Sequence, residues 1–393
     1  MITPLPIREP DRSGTDKLQS HSAAKPQPNR LPHFHPMEER AGKKMKAKRM
    51  IPIPIFLPPS FCLRVLLTSV VSMVSILGVT AMLMAPTNSW AAPAAGGLRV
   101  EQTQGPNSWK VSYAGKTVLV YAFDPHKFKP YVQELHTLQG ENILRDAPHD
   151  HLHHHALMYG IKVNGVNFWE EISGSGVEKV IETDKPVILE SEANDQELPR
   201  VRLSQVLHWV APQDAFLPDN APVALLIERR ILTLAVNPKR QEVALEWRSQ
   251  FTVGPKTNTV VLTGSNYHGL GMRFLQELDA RAIHSLAGSR PDLANSRQDV
   301  SAAPWAAVSF DAPGHPATIA VAGHPSNARG DASFFSMLTP FAYLSAAQAL
   351  DKEPLVYHAG DQFALSYLVL LYPESKPTEI LRSHFEAWRQ TKP

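Results

Sequence analysis

Cysteine is almost missing from this chain: there is one, Cys62, in 393 residues. It precedes a long apolar run, so the part beyond that run can form no disulfide and offer no thiolate to a metal. Concentrated charge is missing as well. Thirty-nine Lys and Arg stand against 37 Asp and Glu, for a net charge of +2. The second half has no basic patch, which gives no reason to expect a nucleic-acid partner. Helical periodicity is scarce, and neither an internal repeat nor an alternation of strands with long helices occurs. No HExxH pair and no GxSxG around a serine is present, so the metalloprotease and serine-hydrolase signatures are absent.

What the first 90 or so residues do contain is an address. Residues 1–63 are a proline-rich, polar leader with basic residues in ERAGKKMKAKR. From Val65 to Ala85 the chain is almost wholly apolar, and Ser89-Trp90-Ala91 fits a small-x-small cleavage site. Basic residues, an apolar run and small residues make residues 64–92 a secretory signal. The run is also long enough to span a bilayer uncleaved. The expectation is an exported protein, periplasmic or secreted, touching a membrane only if residues 65–85 persist as an anchor. The working domain is 96–393, large enough to bury its own core.

Within that domain β patterns recur. In EVALEWRSQFTV, Val243, Leu245, Trp247, Ser249, Phe251 and Val253 share one face, and the polar residues alternate with them. KVSYAGKTVLVYAF carries a glycine turn between two strand-like halves, and PVALLIERRILTLAV, ATIAVAG and FALSYLVLLY are further strand candidates. One helix is expected near the end, in SKPTEILRSHFEAWRQ, with Ile380, Leu381, Phe385 and Trp388 as its apolar stripe. The predicted fold is all-β: a large antiparallel β-sandwich with one C-terminal helix.

The densest chemistry is RDAPHDHLHHHALMYG, residues 145–160, where five histidines fall between His149 and His155. ALMYGIKVNGVNFWEE follows. Asn164-Gly165 is a strong hairpin signal, because both central positions of a type I′ turn take positive φ. Counting back places Val163 opposite Val166, Ile161 opposite Phe168, Tyr159 opposite Glu170 and Met158 opposite Glu171. Leu157, Tyr159, Ile161, Val163, Val166 and Phe168 then form an apolar face. Met158 shares the other face with Asn167, Trp169 and Glu171, and His154 would join it near Glu171. Three readings remain open. The histidines could be a solvated loop; a metal set, with His149, His151, His153 and His155 on one face of an extended strand; or one half of a proton-transfer pair with a carboxylate.

Elsewhere, SNYHGLGMRF brings His268 and Arg273 beside Gly269 and Gly271, which allow a close backbone approach. It lacks the third glycine of a dinucleotide loop. Arg145 could clamp a carboxylate or sugar hydroxyls, or satisfy loop carbonyls. His324 and His358 flank strand candidates, and the seven tryptophans suit either a core or sugar stacking.

The long motif, with HGLGMRF and YHAGDQF after it, resembles a bacterial family described as methane oxygenase PmoA-like. The matching positions are Arg145, Pro148, Asp150, His151, His153, His154, Val163, Asn164, Gly165, Phe168 and Trp169. The resemblance implies a β-sandwich similar to the galactose-mutarotase and glycoside-enzyme supersandwich, and an association with carbohydrate. True methane monooxygenase membrane subunits are multi-span helical proteins, which this pattern is not. His155 stands where the family usually has another residue, and the reading sets it aside with His149.

The leading expectation is therefore an exported protein that processes or binds a small-molecule or oligosaccharide ligand. His151, His153 and His154 act as acid/base or hydroxyl partners, Asp150 orients one of them, and Glu171 is the facing carboxylate. Trp169 is the stacking platform, and Arg145, Asn167, His268, Arg273 and His358 complete the contacts. No cofactor is required. The alternatives are a copper, iron or zinc oxidoreductase or hydrolase on His151, His153 and His154, and a non-catalytic envelope protein.

Overall fold

A computed structural model describes residues 97–103, 107–189, 198–213, 223–312 and 316–392. The leader, the signal or anchor at 64–92 and Cys62 lie outside the described residues. Among the described residues, no helix is long and apolar enough to cross a membrane.

The fold is an antiparallel β-sandwich. One nine-stranded sheet runs, in spatial order, Leu98–Gln102, Ser108–Tyr113, Lys116–Ala122, Tyr131–Leu135, Leu157–Gly160, Gly269–Arg273, Tyr343–Ala347, Ser333–Met337 and Gln298–Ala302. The second sheet is built around the long strands Arg200–Val210, Ala224–Asn237, Glu242–Val253 and Gln362–Tyr372. A small third sheet joins Leu355–His358, Thr259–Thr263 and the short Asn164-Gly165 hairpin. The strand Glu242–Val253 coincides with the alternating stretch EVALEWRSQFTV, and the residues that the period of two put inward are all buried; Glu242, on the other face, is buried as well at the strand's start.

The main core lies between the two large sheets. Val111, Leu119, Leu157 and Leu270 of the first meet Leu203, Trp209, Leu245 and Val369 of the second. Inward alternation also carries charge into this layer. Arg230 donates to Glu228 and Glu178 at 2.7–2.8 Å and to the carbonyl of Pro130 at 2.9 Å, and its guanidinium lies over Trp247. Two carboxylates share one guanidinium there. Burial pushes Glu178 up, to about 8, against the pull of Arg230, so its carboxyl keeps its proton at neutral pH.

The C-terminal helix, Thr378–Arg389, covers the outer face of the second sheet. Leu381 and Phe385 pack on Trp305, Leu368, Leu370 and Tyr372. Ile380, expected in its apolar stripe, is instead 45% exposed. The outer face of the first sheet carries a third cluster: Tyr131, Met158, Trp169, Phe335, Phe341 and Tyr343, with Tyr267 beside them. The histidine-rich loop sits on that face.

Candidate functional site

The hairpin forms as far as its turn dictates and no further. Asn164 and Gly165 have φ of +50° and +79°, Val163 pairs with Val166 and Lys162 with Asn167, and Phe168 N donates to the Ile161 carbonyl. Tyr159 and Met158 do not reach Glu170 and Glu171. They pair instead with Leu270 and Gly271 of the neighbouring strand. The faces nonetheless separate as the period predicts: Leu157, Tyr159, Ile161, Val163 and Phe168 enter the main core, while Met158 and Trp169 lie on the outer cluster.

Freed from the hairpin, the chain after Trp169 turns. Asn167 Oδ1 accepts from the amides of Trp169 and Glu170, and its Nδ2 donates to Glu170. Asn167, expected to touch a ligand, shapes this turn as an Asx residue does. Glu171 thereby faces His155, not His154. His155 Nε2 donates to Glu171 at 2.9 Å, its Nδ1 donates to Asp146 at 2.7 Å, and its ring stacks on Tyr131 at 3.7 Å. Lys129 Nζ lies 3.3 Å from the same Glu171 oxygen and donates to the Trp169 carbonyl. Burial opposes charge on His155, but the Asp146 and Glu171 bonds outweigh it and raise its pKa above the ordinary value. Burial likewise pushes Glu171 up, and His155 and Lys129 together pull its carboxyl down, to about 2. The residue that sequence reading set aside is thus the imidazolium at the centre of a buried ionic clamp. Glu171, already paired twice, makes a poor proton acceptor.

The other histidines lie on a turn and not on an extended strand: His151 N donates to Pro148 O, and His154 N to His151 O. His151 and His154 stack at 4.6 Å, and His153 meets His154 edge-on at 4.5 Å. Rings packed on one another do not converge their nitrogens. Among the described residues, no group of three or more His, Cys, Asp and Glu is gathered as a metal set would be. His151 Nδ1 lies 3.1 Å from Asp150 Oδ2. Burial, then the neighbouring His153, His151 and Arg273, push His154 down to about 2. Burial does the same to His268, to about 3, and lowers His153. His154 and His268 are therefore neutral imidazoles at physiological pH.

Around them the outer face closes as a layer of rings. Trp169 stacks on His268 at 5.0 Å and meets Tyr267 edge-on, His154 tilts over Tyr343 at 5.4 Å, and Phe341 lies beneath the guanidinium of Arg273. Gly271 makes room for this layer. A Cβ there would fall 2.0 Å from the Tyr343 hydroxyl and 2.7 Å from the Trp169 ring. In this layer His154 Nδ1, Trp169 Nε1, His268 Nδ1, Arg273 Nε and Nη1 and the Tyr343 hydroxyl are buried without a hydrogen-bond partner among the described residues. Native interiors rarely leave such groups unpaired, and six such atoms in one layer make it the candidate site. Tyr343 and Phe341 carried no sequence signal beyond being aromatic, while Tyr267 lies in the SNYHGLGMRF stretch beside His268.

Of the remaining candidates, Arg145 lies beside Arg273, its amide donating to the Arg273 carbonyl. His358 is elsewhere, exposed on the small third sheet against Thr259. A shallow concavity of about 540 Å³ opens over Val206, Ile227, Arg229 and Gln250 of the second sheet. None of the residues lining it carries a buried, unpartnered polar atom.

The chain belongs to the family described as "Family of unknown function (DUF6807)", whose model matches residues 108–386. That match carries no description of activity, and it adds no support for the methane-oxygenase description that the motif suggested. Among curated proteins no match was found. The chain is similar in structure to the GH36 α-galactosidase AgaB from Geobacillus stearothermophilus, with a TM-score of 0.40 and 12% identity over 70% of this chain and 41% of that one. The galactosidase domain of the α-galactosidase-sucrose kinase AgaSK gives 0.39 and 11%, over 70% and 42%. A putative aldose 1-epimerase from Klebsiella pneumoniae gives 0.34 and 9%, over 76% and 93%. The chain thus spans about two fifths of the galactosidases it resembles.

Proposed function

We propose that this is an exported saccharide-binding protein that takes its ligand on the outer face of the first sheet and moves a proton there. The observation that carries the reading is the layer of aromatic rings interleaved with buried, unpartnered polar atoms at His154, Trp169, His268, Arg273 and Tyr343. A sugar presents C–H faces and hydroxyls within one small molecule. Rings match the first and fixed donors and acceptors the second. Leaving such donors buried and unpaired costs free energy that a ligand's hydroxyls recover.

The chemistry divides by protonation. Neutral His154 and His268 act as hydroxyl partners. Proton transfer falls to His151, oriented by Asp150 at 3.1 Å, with His153 beside it at a ring separation of 5.9 Å. A mutarotase-like reaction needs one group to protonate the ring oxygen and another to deprotonate the anomeric hydroxyl. His151 and His153 can supply that pair, whereas Glu171 is committed to His155 and Lys129.

Calorimetric titration of the purified protein with neutral and acidic mono- and oligosaccharides tests binding, and exchange between anomers followed by NMR tests turnover. Binding of one sugar class, weakened at least tenfold by Trp169→Ala, is the expected result. A panel in which nothing binds would defeat the reading. Binding without anomer exchange would leave a binding protein and remove the proton-transfer step.

A further inference from the structure

Three Lys or Arg side chains are buried among the described residues: Lys129, Arg230 and Arg273. Two are fully compensated. Lys129 meets Glu171 and the Trp169 carbonyl, and Arg230 meets Glu178, Glu228 and the Pro130 carbonyl. Arg273 is the exception. It is 2% exposed, its Nε and Nη1 find no hydrogen-bond partner, and it enters no ion pair among the described residues.

What surrounds Arg273 offsets its charge only in part, and no carboxylate pairs with it directly. Its guanidinium lies over the Phe341 ring, 3.5 Å from the centroid. Asp279, the carboxylate with the largest electrostatic effect on it, already accepts from the Ala342 amide at 2.9 Å. Asp150 is turned to His151, and Arg145 adds a second positive charge nearby. An uncompensated buried cation is costly, and folded proteins avoid it unless something pairs with it. The same strand aligns Arg273 with the rest of the site. Gly271 and Arg273 fall on one face, and Arg273 is the cross-strand partner of Tyr343, whose hydroxyl is also unpartnered.

We infer that the saccharide taken here is an acidic one, a uronate whose carboxylate seats on Arg273. This inference rests on the saccharide reading and narrows it. A single unpaired guanidinium calls for a single negative charge, and its planar fork of N–H donors suits a planar carboxylate. The Tyr343 hydroxyl and Trp169 Nε1 lie on the same face to serve the ring hydroxyls. Lys129 is already occupied, so a second negative charge would meet no free buried cation and would lie near Asp279 and Asp150, the carboxylates that act on Arg273.

Two measurements on the full-length protein test it. Calorimetry compares glucuronate and galacturonate oligosaccharides with their neutral glucose and galactose counterparts and with galactose 6-sulfate. The expected result is that uronates bind at least tenfold tighter than neutral sugars, that Arg273→Met removes that preference, and that Arg273→Lys restores part of it. Thermal melts of the ligand-free protein supply the second readout: Arg273→Met should melt at or above the wild-type temperature, because it removes an unpaired charge and keeps an apolar stem on Phe341. Equal binding of uronates and neutral sugars, preference for the sulfate ester, or a large fall in melting temperature in Arg273→Met would each overturn the inference. The first two leave the saccharide reading standing; failure of every sugar to bind removes both.

Discussion

Replacing His155 by Leu is the sharpest test of the ionic clamp. The imidazolium is 2% exposed and holds Asp146 and Glu171 at once. Glu171 drops from an ordinary 4.5 to about 2 in the folded protein. At about 1.4 kcal/mol per pH unit, that is roughly 3 kcal/mol of stabilisation of its charged form. His155 and Lys129 share this, so about 2 kcal/mol leaves with the imidazole. The lost bond to Asp146 and the lost stacking on Tyr131 add about 1 kcal/mol. The total, about 3 kcal/mol, sits at the low end of the roughly 3–5 kcal/mol seen when one partner of a buried pair is removed. Lys129, Tyr131 and Gln133 still contact the orphaned carboxylates, which is why the low end applies. For a domain of this size about 3 kcal/mol lowers the melting temperature by roughly 6–12 °C.

The pH dependence of the difference between wild type and His155→Leu carries the stronger signature. His155 has a raised folded pKa, so its contribution is complete below its unfolded value of about 6.5 and is lost as pH rises through the higher folded value. Glu171 has a depressed folded pKa, so its contribution is present above 4.5 and is lost as pH falls from there toward about 2. The difference should therefore be greatest between about pH 4.5 and 6.5 and shrink on both sides. Melts by calorimetry or circular dichroism from pH 3 to 9 read it directly. A loss below about 1 kcal/mol at pH 6, or a difference that does not change with pH, would refute the clamp.

Other perturbations follow from the same contacts. Gly271→Ala drives a methyl into the Tyr343 hydroxyl and the Trp169 ring; it should cost about 1–3 kcal/mol by overpacking and alter the near-ultraviolet circular dichroism, and unchanged spectra and stability would contradict the layer. Glu178 is held protonated to about 8, so between about 4.5 and 8 the wild type loses stability as pH rises. Glu178→Gln should melt near wild type at pH 5 and above it at pH 9, a crossover that thermal scans at the two pH values would reveal or deny. Asn164 accepts from the Val261 amide, donates to the Thr259 carbonyl and holds φ at +50°. Asn164→Ala should cost about 1–2 kcal/mol in denaturant unfolding, and Asn164→Gly less, since glycine keeps the turn; an alanine variant no worse than the glycine one would discount the strain at this position.

Much of the fold was legible because one physical rule dominates it. A strand buried on one face alternates, and Glu242–Val253 obeys that rule from Val243 onward. The turn at Asn164-Gly165 and the helix at Thr378–Arg389 were legible for equally local reasons, positive φ and an apolar stripe. The ionic core was half legible. Alternation put Glu228 and Arg230 inward with Leu226 and Leu232, but Glu178, which completes the group, arrives from 52 residues away.

The site shows where local counting stops. Counting back from the turn assumes that one strand keeps one partner, yet Leu157–Gly160 exchanges the hairpin for Gly269–Arg273. Alternation also breaks just before that strand, where Ala156 and Leu157 both enter the main core. Extrapolated through such a break, side-chain parity reverses, and the imidazole that meets Glu171 becomes His155 where counting named His154. No property of the residues from His149 to His155 could announce this, since the five rings are chemically alike. What separates them is the company each one keeps. Carboxylates on both ring nitrogens make His155 an imidazolium, a dry wall of rings keeps His154 neutral, and His151 meets Asp150 nearer the rim. Asp146 and Glu171 lie outside the strands, before and after Leu157–Gly160, while Tyr343 comes from a strand far along the chain, and only the fold brings them to these histidines.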